Sequence, residues 1–138
     1  MDYYVFGRVM ELVYLDPYYS DKTTGSHRNS IYSAVKHGKL LCHWRDEELL
    51  GFCTYGFFTQ EELDLDYWSG DEVYSRERGD VLYFPKFQCR AGRREVIKFI
   101  REIQRTLSEL YPGIETARGL RVYPEGHVRN ELWPRKVA

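Results

Sequence analysis

The chain has 138 residues, 43% of them hydrophobic, enough for one domain with a buried core, here taken as residues 1–138. A net charge of −1 and a pI near 6.4 argue against a nucleic-acid-binding module. No apolar run approaches the roughly 18 residues that a membrane span needs, and MDYYVFGRVMELVYL lacks the basic lead and cleavage site of a signal peptide.

The other compositional signals point the same way. Cys42, Cys53 and Cys89 form no Cys-x-x-Cys pair and, with the four histidines, match no metal template. They read as free thiols of a reducing compartment, which makes the expected location cytoplasmic, with no metal and no membrane span. Charge is unevenly placed: residues 1–75 carry 6 Lys/Arg against 13 Asp/Glu, and residues 76–138 carry 14 against 8. The basic half suits an anionic ligand or an acidic partner, or else pairs with the acidic half inside the fold.

In chain order, Val5, Val9, Leu12 and Val13 recur at helical spacing until Asp16-Pro17. The polar stretch 16–30 reads as a loop, and 30–37 as a short helix closed by Gly38. KLLCHW and LLGFCTYGFF flank the charged RDEE as a hairpin, with Gly51 and Gly56 marking bends or close backbone approach. QEELDLD (60–66) predicts a short acidic helix or turn, and 67–79 a mobile charged connection. DVLYFPKFQ then predicts a strand, CRAGRR a tight basic turn, and EVIKFIREIQRTLSELY an amphipathic helix. Its apolar face is read as Val96, Ile97, Ile100, Ile103, Gln104, Leu107 and Leu110, and Pro112-Gly113 ends it. TARGLRVY reads as a last strand, PEGH as a turn, and VRNELWPRKVA as a tail. The whole is an α/β fold with a single mixed-sheet domain.

A strand-to-helix turn leaves backbone N–H groups exposed at the positive end of a helix, where phosphates bind. Here Ala91, Gly92 and Arg93 would donate, Arg90, Arg93 and Arg94 would add charge, and Gln88 stands at the entrance. Among the histidines, His27 is either a general base presented from the loop or a helix cap acting with Ser26 or Asn29. His43 reads as a face-lining strand residue, His37 as a helix-end cation, and His127 as structural. Cys89 reads as a buried thiol, and Trp44, Tyr55 and Phe57 as core aromatics or the lining of an acyl channel.

Three blocks resemble the toxin-activating lysine acyltransferases, which have the fold of the GCN5-related N-acetyltransferases. They are Ser26-His27-Arg28-Asn29; residues 34–58; and Gly79-Asp80, Tyr83-Phe84, Gly92, residues 118–122, Pro124 and His127-Val128. The resemblance implies transfer of an acyl group from a phosphopantetheine thioester, acyl carrier protein or coenzyme A, to a protein lysine or other amine. These donors would be co-substrates, with no tightly bound cofactor, and a protein acceptor would be the partner. His27 would be the base, and residues 88–94 would hold the phosphate. The family's supporting aspartate falls at Lys86, so another acid, Asp80, would have to serve. The alternative is a catalytically silent relative that binds and modulates a partner protein. The short form would suit a bacterial or phage gene.

Overall fold

The computed structural model describes the backbone of residues 1–15, 24–114, 117–122 and 128–133. The 16–23 part of the expected loop, the PEGH turn with His127, and the end of the tail lie outside the described residues.

The alternating hairpin becomes β1 (Leu40–Arg45) and β2 (Glu48–Phe58), joined at Asp46-Glu47. Asp46 takes the left-handed conformation (φ 56°) that such tight turns demand and that Asp tolerates. β3 (Val81–Cys89), β4 (Ala117–Val122) and β5 (Val128–Trp133) complete a five-stranded sheet in the order β1-β2-β3-β4-β5. All neighbours are antiparallel except β3 and β4, which run parallel. β5 occupies part of what reads as a tail and ends the strand order of the sheet.

Helices α1 (Tyr3–Leu15) and α2 (Thr24–Lys36) cover one face of the sheet. Val9, Met10, Leu12, Val13 and Ile31 pack there on Leu49 and Phe52. α2 begins at Thr24 rather than at residue 30, so His27 sits on a helix and not in a loop. Its early turns are too polar to show an apolar period, and Ile31 and Ala34 anchor it from further along.

Two short helices come after β2: α3 (Gln60–Leu65), with a Thr59/Glu62 capping box, and α4 (Gly70–Ser75). α4 replaces the mobile connection expected over 67–79. Six residues cannot display a helical period, yet Val73 and Tyr74 are both 0% exposed and pack on Phe58 and Ala34. Gly56 permits this approach, because a Cβ there would lie 3.1 Å from the Val73 carbonyl oxygen.

The helix between the parallel strands is α5 (Arg93–Leu110), on the opposite face. It buries Phe99, Ile103 and Leu107 against Cys53, Tyr55, Phe57, Leu82 and Phe84. The expected apolar face is thus rotated: Ile97, two residues before Phe99, is 40% exposed, and Leu110 is exposed as well.

Arg76 joins α3, α4 and β2. It donates to both Glu62 carboxylate oxygens, to Glu72 and to the Phe57 carbonyl. This guanidinium holds the Glu62 carboxyl down at about 2, against an ordinary 4.5. A depressed carboxylate stabilises the fold fully above its ordinary value, and the gain disappears as pH falls from about 4.5 towards about 2. Arg76→Met should therefore cost about 1–3 kcal/mol in urea denaturation at pH 7 and flatten that acid-side slope.

Candidate functional site

The site originates in a local irregularity of β3. Thr54 pairs with Lys86 and Gly56 with Tyr83, so Tyr55 alone stands opposite both Phe84 and Pro85. Proline has no N–H to give the ladder, and a bulge is where a strand tolerates it. The extra residue reverses the facing of the rest of the strand. Leu82 and Phe84 point to α5 before the bulge, and Phe87 and Cys89 do so after it. Lys86 and Gln88 are thereby turned to the α1/α2 face.

There Lys86, only 8% exposed, places Nζ 2.7 Å from Nδ1 of His27. His27 projects from the first turns of α2. Burial lowers the Lys86 ammonium from 10.5 to about 8. One ladder step away, the Thr54 hydroxyl lies 2.9 Å from the buried Tyr74 hydroxyl, which is 3.4 Å from Ser30 Oγ. Ser30 lies three positions after His27, on the same side of α2. Gln88 donates through Nε2 to the Leu12 carbonyl at 2.6 Å, while its Oε1 is buried without a partner. A polar seam therefore runs under α2 through an otherwise apolar layer.

The second component is the point where the described β3–β4 pairing ends. β3 and β4 pair only at Leu82–Ala117, Tyr83–Arg118 and Phe84–Gly119. Beyond Phe84, among the described residues, β4 continues against β5 while β3 continues against β2. Among the described residues, the β3–β4 ladder thus ends before Lys86.

At the far end of β3 stands the CRAGRR turn. Gly92 caps α5 at φ 86°, a conformation that only glycine adopts freely, and it has no side chain with which to close the helix N-terminus. Two of the turn's amides are already engaged: Arg90 N–H donates to the Leu50 carbonyl at 3.0 Å, and Ala91 N–H to the Cys89 sulfur. Of the expected donors, Gly92 and Arg93 remain at the mouth. Arg93, Arg94, Lys98 and Arg101 line an open groove of about 580 Å³ with Ile97.

His27, Gln88 and the turn residues 90–94 thus share the β3 segment beyond the bulge, but Asp80 does not join them. Its carboxylate accepts from Gln60 N–H at 3.2 Å, at the start of α3. Lys86 is six positions further along, about 20 Å of extended strand. Lys86, the residue at which the sequence resemblance put the supporting acid, is the one that meets His27.

The remaining candidates lie elsewhere. His43 lies under α5, with Nε2 2.7 Å from Glu95 and Nδ1 3.2 Å from Glu102, and its ring stacks on Phe99. Both contacts are hydrogen bonds when both ring nitrogens carry protons. The His43 bond is also the main reason the Glu95 carboxyl lies below its ordinary value. The seven-residue spacing of the two glutamates is the one sequence signal of this clamp, and a weak one, because their partner is 52 and 59 positions away. His37 bonds Asp71 at 2.9 Å, tying α2 to α4. Burial raises all three thiols, Cys42 to about 12, which keeps them from acting as thiolate nucleophiles. Tyr55 and Phe57 are core residues packed on Tyr111, whereas Trp44 is exposed. Among the described residues no cluster of metal-ligating side chains occurs, and no helix is long and apolar enough to cross a membrane.

Compared with protein-family models and with curated proteins, the sequence matches none.

The lowered ammonium has a measurable signature. Between pH 8 and 10.5 the unfolded chain binds more protons at Lys86 than the folded one, so stability rises with pH across that window. Relative to Lys86→Met, the wild-type protein should gain roughly 2–3 kcal/mol between about pH 7.5 and pH 10 in denaturant titrations.

Proposed function

We propose that this chain binds an acyl thioester of phosphopantetheine on a fold of the GCN5-related N-acetyltransferase type and passes the acyl group to an amine. One observation carries the reading: the His27–Lys86 pair and the basic turn lie at opposite ends of the β3 edge that leaves β4. The element order supports it, with two helices, a hairpin, then a strand, helix and parallel strand.

Dimensions support it too. Lys86 and Ala91 are five residues apart, at most roughly 17 Å of extended chain, and a phosphopantetheine arm spans about as much. Its two amides would pair along the β3 segment as a peptide does. Its phosphate would meet the amides of Gly92 and Arg93 and the guanidinium groups of Arg90, Arg93 and Arg94. The donor is then acyl carrier protein or coenzyme A, and the acceptor a protein lysine or other amine.

The protonation of the pair governs turnover. Below about pH 8 Lys86 is an ammonium donor, so the neutral His27 ring accepts at Nδ1 and carries its proton on Nε2. That tautomer offers an N–H to a substrate rather than a lone pair. A carboxylate at position 86 would accept from Nδ1–H and leave Nε2 as the base. This difference favours a second reading, a thioester-binding relative that is silent at neutral pH and acts on a partner protein.

The two readings separate in one set of measurements. Arg90, Arg93 and Arg94 changed together to Glu should weaken coenzyme A binding at least about tenfold in calorimetry. Amine acetylation from acetyl-coenzyme A should rise as pH passes about 8, and Lys86→Asp should raise it at pH 7 by about 100-fold. Binding with no transfer at any pH, unaltered by Lys86→Asp, selects the silent relative. Absence of binding to both coenzyme A and acyl carrier protein refutes thioester recognition.

A further inference from the structure

We propose that copies of this chain associate head to tail: the acidic, aromatic surface of α3 and α4 on one copy receives the cationic outer face of α5 on the next. The proposal goes beyond the thioester reading and does not depend on it.

The receiving surface is apolar at its centre and anionic around it. Leu65 is 66% and Tyr67 82% exposed, and with Trp68 they line a groove of about 460 Å³ whose other walls include Glu61, Glu62 and Glu72. Large apolar side chains exposed together and rimmed by polar groups mark a surface that another molecule covers. Residues 59–75 hold six carboxylates and no lysine or arginine. Arg76 engages Glu62 and Glu72, which leaves Glu61, Asp64 and Asp66 exposed with the excess charge.

The inserting surface is its converse. Over residues 93–105 α5 carries five Lys/Arg against two glutamates, and His43 holds both glutamates on the sheet side. Glu95 also pairs with Lys98 at 3.6 Å, so the arginines carry the outer charge. Arg94, Arg101 and Arg105 are exposed along about 17 Å of helix, with the exposed Ile97 among them.

Tyrosine, tryptophan and arginine are the residue types that most often anchor interfaces. A guanidinium of one copy would stack on Tyr67 or Trp68 of the next while its neighbours met the carboxylates and Ile97 met Leu65. The occupant is a second copy because this chain carries both halves of the match. At a net charge of −1 whole molecules barely repel, while the opposed patches attract.

Placement decides the kind of assembly. α4 packs with Ala34 of α2 on one face of the sheet, and α5 covers the other. Two chains can therefore share one such contact but not two, and an unused patch remains at each end. A heterologous contact of this kind adds further chains or closes a ring.

Sedimentation velocity of the full chain over a concentration series should show species larger than two chains. Raising salt from about 0.05 M to about 0.5 M should weaken association at least about tenfold. Leu65→Ala with Tyr67→Ala removes the receiving surface, and Ile97→Ala with Arg101→Ala removes the inserting one. All four side chains are exposed, so the fold tolerates their loss. Each doubly substituted chain alone should be a monomer. Mixed in equal amounts, the two should form a one-to-one dimer and grow no further, because one intact patch remains on each. A wild-type chain that stays monomeric overturns the proposal, whatever else either patch binds. Wild-type assembly that stops at two chains overturns it too, as does association indifferent to salt or to either pair of substitutions. A mixture of the two variants that remains monomeric has the same force.

Discussion

The bulge at Phe84-Pro85 is the constraint on which the rest of the architecture depends. Strand side chains alternate strictly, so without the extra residue Lys86 would join Leu82 and Phe84 in facing α5. A cation would then lie in the layer that holds Phe99 and Leu107, away from the His27 imidazole. The inserted residue instead gives Phe87 and Cys89 to that layer and sends Lys86 and Gln88 to the other. Bulges also increase local twist, which fits the loss of β3–β4 pairing immediately after Phe84. A single proline position thus accounts for the facing of Lys86 and Gln88 and marks where the described β3–β4 pairing ends.

Much of this was legible in the sequence. The hairpin, the basic turn, the long helix and the mixed α/β order emerge from alternation, turn chemistry and period. The close approaches at Gly51 and Gly56 were legible as well: a Cβ at Gly51 would lie 2.7 Å from the Gln88 carbonyl oxygen. The illegible parts are set by tertiary contact. α4 is held by two buried side chains, α2 begins in a polar run whose histidine meets a lysine 59 positions away, and β5 falls where no apolar alternation announces a strand. The face of α5 is ambiguous in sequence because Phe99 and Ile97 are equally apolar, and only packing chooses between them. Asp80 is a reasonable acid by composition, but its carboxylate is used at the start of α3. A short polar segment or a single carboxylate carries no local signal of the distant group that it serves.

Each face of the sheet has its own histidine, and the two differ in kind. His27 faces a cation and His43 two anions, so the first lies in a seam able to change its proton content and the second in a clamp that fixes a helix. Both join a helix to the sheet by polar contacts set within apolar packing, where such bonds fix orientation as well as stability. The α5 clamp also positions the N-terminus of that helix, and with it the turn that Gly92 forms.

That clamp has an effect at a distance. Glu95 lies in the first turn of α5, close enough to oppose any anion at the helix end, but His43 draws its charge beneath the helix. The other Glu95 oxygen pairs with Lys98 at 3.6 Å and Glu102 is held on the same flank, so the outward side is dominated by Arg93, Arg94 and Arg101. The helix thereby becomes an electrically one-sided rod. A cationic strip of this kind bends the diffusive paths of anions towards it before any contact forms, with an influence that shrinks over about 8 Å of physiological salt. Through one buried imidazole, the fold would set how fast any anion arrived as well as where its charge was met.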